Sequence, residues 1–229
     1  MSSQNNSSEI SSTAIAAAVG ALATTILVVR AVKRSFSPNI TSKLACRCDK
    51  VRGEICAKAE DSIRLWCYCE DCRNYATRIA ELDDSKTTSS PMIYPCGETH
   101  IVQVCKSALS IHQGLEHLKL ARKTSSSGGT GMFRYYASCC NTPILNTWDF
   151  LGFVGVLEDN LDSEREKFQG PYCFCTKEAT QTIPVSDKVP EIKVHMFMWN
   201  VLRYWPWAKA GPLNYSLKPI LWGESKKVE

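Results

Sequence analysis

Alternating apolar and polar positions run through the middle of this chain and predict a mainly β body. Residues 63–68 (IRLWCY) alternate and are rich in β-formers. Residues 51–57, 99–106, 108–111, 117–121 and 132–137 read as further strands, and 150–157 (FLGFVGVL) as a buried one. Residues 112–114 (HQG) supply a turn. The composition of 72–82 (CRNYATRIAEL) predicts a short helix. Val194, Met198, Val201, Leu202 and Trp205 fall at helical spacing, so a C-terminal helix is expected over 191–205, ended by Pro206. Its aromatic run (WNVLRYWPW, 199–207) fits a buried face better than a membrane interface. The loop 125–131 (SSSGGTG) lacks the Gly-Lys-Ser/Thr ending of a phosphate-binding loop and reads as a flexible hairpin connection.

One segment is apolar without alternation. Residues 13–29 (TAIAAAVGALATTILVV) carry no charge and end at Arg30, with Lys33 and Arg34 close behind. At about 1.5 Å per residue they reach roughly 26 Å, a short transmembrane helix. The basic flank on the C-terminal side predicts a single-pass anchor in a lipid membrane with the body in the cytosol. The mitochondrial outer membrane and the endoplasmic reticulum are the two candidates. No basic stretch precedes the apolar run, which argues against a cleaved signal peptide. The expected layout is a disordered tail (1–12), an anchor with its flank (13–34), a linker (35–43) and a globular domain with a C-terminal extension (44–225).

Hydrophobic content of 44% and charged content of 22% suit a packed core. The net charge of +4 is dispersed, which gives no support to nucleic-acid binding. Twelve cysteines pose a choice between a disulfide framework and metal thiolates. Their spacing favours metal. Cys46-Arg-Cys48 is followed by Cys67-Tyr-Cys69-Glu-Asp-Cys72, and much later by Cys139-Cys140. Zn²⁺ takes four such ligands in a tetrahedron, and these spacings bring thiolates together before tertiary folding.

Two groups follow. Cys67, Cys69 and Cys72 form a three-thiolate set; three protein ligands leave an open position, as in catalytic zinc sites. Cys46 and Cys48 need two more ligands, which Cys139 and Cys140 can supply, giving a closed structural shell. The count is therefore one or two zinc ions per chain, the lower figure applying if one four-cysteine site forms and the other cysteines pack as core. Asp49 suits the sharp turn after Cys48, since Asp tolerates left-handed backbone better than most residues. Cys56, Cys96 and Cys105 are expected in the core. Cys173 and Cys175 lie in a strand-like stretch, on one face, and read as packing. The four histidines show no ligand spacing.

The segments CRCDKVRGEI, CYCEDCRNYA and RYYASCCNTPI resemble the CENP-V/GFA family, whose founding activity is glutathione-dependent formaldehyde activation. The resemblance covers roughly residues 44–157 and is most similar to a branch whose third motif reads Ala-x-Cys-Cys-Asn-Thr-Pro. It implies an Mss4-like, GFA-like tent of small antiparallel sheets around zinc. It also implies that Cys46, Cys48 and Cys140 are structural ligands and that Cys67, Cys69 and Cys72 hold a second zinc near the adduct site. Asp49 stands for the Gly of the family's first motif, Tyr68 for the His of its second, and Ala137 for the first cysteine of its third. Cys139 is the candidate replacement.

Two functional expectations result. One is a membrane-anchored zinc enzyme, a carbon–sulfur lyase acting on a glutathione-type thiol adduct, with Cys67, Cys69 and Cys72 acting through zinc. Glu70 and Asp71 are then candidates for proton transfer, or are simply solvated. The other is a non-catalytic, zinc-stabilised binding or scaffold module at a membrane. A shared architecture does not choose between them.

Overall fold

The structure, a computed structural model, describes residues 37–82, 92–123, 132–148, 150–184, 189–192 and 220–222, with Leu202, Tyr204 and Leu213. The chain divides into a unit Met1–Pro38 and a unit Asn39–Glu229. The expected anchor at 13–29 and its flank lie outside the described residues, as do the loop 125–131 and most of the helix expected at 191–205. Among the described residues, no helix is long and apolar enough to cross a membrane.

The second unit is mainly β. Its strands are β1 (Asn39–Ala45), β2 (Arg52–Lys58), β3 (Ser62–Cys67), β4 (Thr99–Cys105), β5 (Leu109–Gln113), β6 (Leu118–Lys123), β7 (Phe133–Ala137), β8 (Thr142–Thr147), β9 (Phe153–Leu157), β10 (Tyr172–Phe174) and β11 (Ile220–Trp222). One α-helix, α1 (Glu70–Ala80), follows β3. A three-stranded antiparallel sheet has the order β1-β2-β5. An eight-stranded sheet has the order β10-β3-β4-β9-β8-β7-β6-β11. The large sheet is mixed, because β10 and β11 join its edges parallel to β3 and β6.

Three elements depart from the sequence expectations, each for a physical reason. The expected linker 35–43 is largely strand: in β1 the inward positions are Ile40, Ser42 and Leu44. Ser42 breaks the apolar alternation, yet it is buried because its hydroxyl donates to Asp162 Oδ1 at 2.9 Å. Strand β8 is central despite Pro143, which cannot donate to a ladder. A bulge there sets Tyr136 opposite Pro143 and Tyr135 opposite Leu145, so Ile144 is the extra residue. The start of the expected C-terminal helix is extended instead. Glu191 bridges Cys173, and the Ile192 N–H donates to the Cys173 carbonyl at 2.9 Å.

The main core lies between the two sheets and includes Leu44, Val51, Ile55, Val102, Val104, Leu120, Tyr135, Ile144 and Val156. Helix α1 covers the other face of the large sheet. Cys72, Tyr75, Ala76 and Ile79 recur at three- and four-residue spacing and are buried. Tyr75 donates through its hydroxyl to the Tyr135 carbonyl. Burial of side chains such as Tyr75 and Ile79 contributes about 1.5–3 kcal/mol each, so α1, which carries part of the site, is firmly seated.

His100 is sandwiched between Trp66 (centroids 4.9 Å apart) and Tyr94 (3.7 Å), with all three rings nearly parallel. Burial, then the charges of Arg64 and Arg165, lower its pKa from 6.5 to about 4. Between these values the unfolded chain binds a proton that the folded one refuses. Stability is thus unaffected by this residue above pH 6.5 and falls as pH drops toward 4. His100→Phe keeps a ring in the stack and removes the titration. Between pH 7 and pH 5, wild type should lose about 1–2 kcal/mol more stability than His100→Phe in denaturant melts. Parallel pH profiles would show that His100 keeps its ordinary pKa.

Candidate metal centres

The first cysteine group joins two hairpin turns from different sheets. Cys46 and Cys48 lie in the β1–β2 turn, and Cys139 and Cys140 in the β7–β8 turn. The first turn is shaped by backbone bonds from Cys46 N to Val51 O (3.0 Å) and from Asp49 N to Cys46 O (2.9 Å). Asp49 is left-handed, with φ 63°. This is the conformation glycine adopts most freely, and Asp fills it at modest cost. The Val51 N–H donates to Cys46 Sγ at 3.3 Å. In the second turn Asn141 has φ 47°, and Cys140 Sγ lies 3.0 Å from Thr142 Oγ1. The Arg47 N–H donates to the same hydroxyl at 3.3 Å, tying the two turns together.

The four sulfur atoms all lie within 4.8 Å of one another. Cys46–Cys48 is 3.7 Å, Cys46–Cys139 3.8 Å, Cys48–Cys139 3.3 Å and Cys139–Cys140 3.9 Å. A tetrahedron with metal–sulfur bonds of about 2.3 Å has edges of about 3.8 Å. The donor set and its size therefore fit a metal ion. Both adjacent thiols, Cys139 and Cys140, belong to the group. Ala137, two residues before Cys139, is buried in the core.

The second group sits at a strand–helix junction. Cys67 ends β3, with Thr99 of β4 opposite it on one side and Phe174 of β10 on the other. Cys69 is the N-cap of α1, and Cys72 lies in its first turn. Cys67–Cys69 is 3.3 Å and Cys67–Cys72 3.6 Å. Cys67 and Cys72 are buried and Cys69 is partly exposed. The helix N-terminus offers partial positive charge to these sulfurs. Hydrogen bonds from the Cys67 and Cys69 thiols, and then the Arg134 charge, hold the Cys72 pKa well below the usual thiol range. The hydrogen bonds that Cys67 donates to Cys69 and Cys72 push its own pKa up, so the group shares its protons unequally. These three sulfurs also can hold a metal ion.

Several neighbours of this group carry no sequence signal of their own. Arg134, on β7, is 3% exposed, and its Nη1 lies 3.8 Å from Cys72 Sγ. The only hint was a charged residue inside an otherwise apolar strand. Arg73 Nη1 donates to the carbonyls of Tyr68, Gly97 and Glu178, each at 3.3 Å, and so pins the loop that carries Cys69. The Glu70 N–H donates to Glu178 Oε2 at 2.8 Å. The two expected proton-transfer candidates are exposed and engaged: Asp71 pairs with Lys123 at 2.8 Å, and Glu70 accepts from Asn74 at 3.3 Å.

The remaining cysteines divide differently from expectation. Cys96 is buried as expected and Cys105 is half-buried, whereas Cys56 is exposed because it sits on the outward side of β2. Cys173 packs with Tyr68 and Cys96. Cys175 has left the strand and adopts φ 57°, so it does not share a strand face with Cys173. Among the described histidines, none joins either group.

Residues 39–170 match the model of a family of unknown function, DUF6151. The chain belongs to this family. The DUF6151 segment is more than half of the chain and contains all seven clustered cysteines and Arg134. It ends before β10, the strand beside Cys67. No curated protein matches the chain.

The backbone at Asp49 gives a direct check on the first turn. Asp49→Gly should leave thermal stability unchanged or raise it, since glycine adopts positive φ without the Cβ clash. Asp49→Val should lower stability by about 1–2 kcal/mol in denaturant titrations. Equal melts for both variants would show that the turn does not require left-handed backbone.

Proposed function

We propose that this protein is a membrane-anchored, zinc-binding, GFA-like carbon–sulfur lyase. Zinc at Cys46, Cys48, Cys139 and Cys140 is structural, and zinc at Cys67, Cys69 and Cys72 is the working centre. The observation that carries this reading is a group of only three sulfurs, partly exposed at Cys69, with a buried arginine behind it. Zinc held by three protein ligands lowers the pKa of a thiol or water in its remaining position.

The chain's own residues give that position its character. Cys67 is fixed in register between β4 and β10, and Cys72 is held in the seated first turn of α1. A small ligand therefore approaches from the Cys69 side. The substrate class is a thiol–aldehyde adduct of the glutathione type. Cleavage breaks its carbon–sulfur bond: the sulfur leaves with the bonding pair, the hydroxyl oxygen becomes the carbonyl, and the hydroxyl proton ends on the thiol. Glu70, exposed in the first turn of α1, is the carboxylate available to relay that proton.

Metal analysis of the full chain tests this reading. Wild type should hold two zinc ions, and Cys69→Ser one, with its far-UV spectrum unchanged. A single ion in wild type, retained by Cys69→Ser, would sink the proposal. Zinc at both groups without accelerated release of aldehyde from a hydroxymethyl thiol adduct would favour a non-catalytic binding module instead.

The anchor belongs to the same proposal and rests on the uncharged run at 13–29 followed by Arg30, Lys33 and Arg34. The body then faces the cytosol at the mitochondrial outer membrane or the endoplasmic reticulum. Wild type should resist alkaline extraction from membranes, and deletion of residues 1–36 should release the protein to the supernatant. Release of both forms alike would remove the anchor.

A further inference from the structure

Arg134 is a buried cation without a buried carboxylate. Its side chain is enclosed between β7 and α1, with the guanidinium carbon 5.2 Å from the Tyr75 ring centroid and Nη1 3.8 Å from Cys72 Sγ. Among the described residues its side chain meets no carboxylate. Half-buried Arg64 and buried Lys106 are satisfied differently. Arg64 pairs with Glu158 at 2.5 Å, and Lys106 Nζ donates to the Trp148 carbonyl at 2.7 Å. A guanidinium taken out of water without an anion is strongly unfavourable, so a compensating negative charge must lie close by. The cysteine group is the source within reach.

Charge bookkeeping fits that source. Three thiolates and a divalent cation leave one negative charge, which one guanidinium cancels. The four-thiolate group is placed differently. It lies at a partly exposed turn, where water screens its charge.

We infer that Arg134 is the built-in counter-ion of the three-thiolate group, a positioning residue that lets Cys67, Cys69 and Cys72 hold a divalent metal ion in a buried setting. This rests on the proposed metal occupancy of that group. It assigns to a residue of β7 a role in a site otherwise drawn from β3 and α1. Arg134 does not ligate; it acts through Cys72.

The test is competitive zinc release from the full-length protein to a chromophoric chelator. Cys69→Ser identifies the release step that belongs to the three-thiolate group. Arg134→Gln should weaken that step about 10–100-fold, the range seen when partners of metal ligands are removed. The four-thiolate step should not move, and Arg134→Lys should recover most of the loss. Unchanged affinity in Arg134→Gln overturns the inference, as does equal weakening of both steps. If wild type lacks the three-thiolate step altogether, the proposed function fails instead.

Should Arg134→Gln not fold, a paired comparison decides. Cys72→Ala removes part of the anion and should lower the melting temperature. Adding Arg134→Met should then raise it again. Strictly additive losses would show that Arg134 and Cys72 are not coupled.

Discussion

Four sulfur atoms on two turns have to meet for this fold to close. Cys46 and Cys48 belong to the small sheet, and Cys139 and Cys140 to the large one, more than ninety residues on. Closing a loop of that length costs conformational entropy, which contacts between the two turns must offset. Four thiolates held 3.3–3.9 Å apart would also repel one another. A divalent ion bound there would remove the repulsion and add binding free energy of order 10 kcal/mol, as in small structural zinc sites. Packing of Leu44, Val51 and Ile55 against Val102, Tyr135 and Ile144 is placed between the same two sheets. The core and the cysteine turns therefore join the same two sheets.

The second group solves a different problem. It is drawn from a single stretch of six residues, so its geometry is nearly local. Two of its three sulfurs are nonetheless buried, where charge is expensive. The N-terminus of α1 and the guanidinium of Arg134 both supply positive potential there. One group thus gathers sulfurs from distant chain segments at a partly exposed turn. The other sinks charge into the interior and has to neutralise it in place.

What was legible in the sequence follows from this contrast. The strands at 63–68, 99–106 and 132–137 and the helix after Cys72 declared themselves through period and composition, and the structure has β3, β4, β7 and α1 there. The grouping of Cys67, Cys69 and Cys72 was equally open, because the spacing is local. β1 was hidden by Ser42, whose burial depends on Asp162 far along the chain. β8 was hidden by Pro143, which only a bulge accommodates. β10 and β11 are three residues each and pair parallel at the edges, so no periodicity can reveal them. Arg134 could not be placed at all without the register that sets β7 under α1. Sequence spacing named the cysteines that cluster; long-range pairing decided which charges surround them.

The burial of the three-thiolate group also bears on what it can do. Cys67 cannot shift without disturbing its pairing with Thr99 and Phe174, and Cys72 cannot shift without unseating α1. Cys69 is different. It is the helix cap, it is partly exposed, and its loop is held by carbonyl contacts from Arg73. A site that admits a small molecule needs a face where the protein does not close the shell, which three sulfurs leave and four do not. Under the proposed function, two rigid sulfurs with a third nearer the surface meet that need, and the fixed positive charge of Arg134 lies on the Cys72 side.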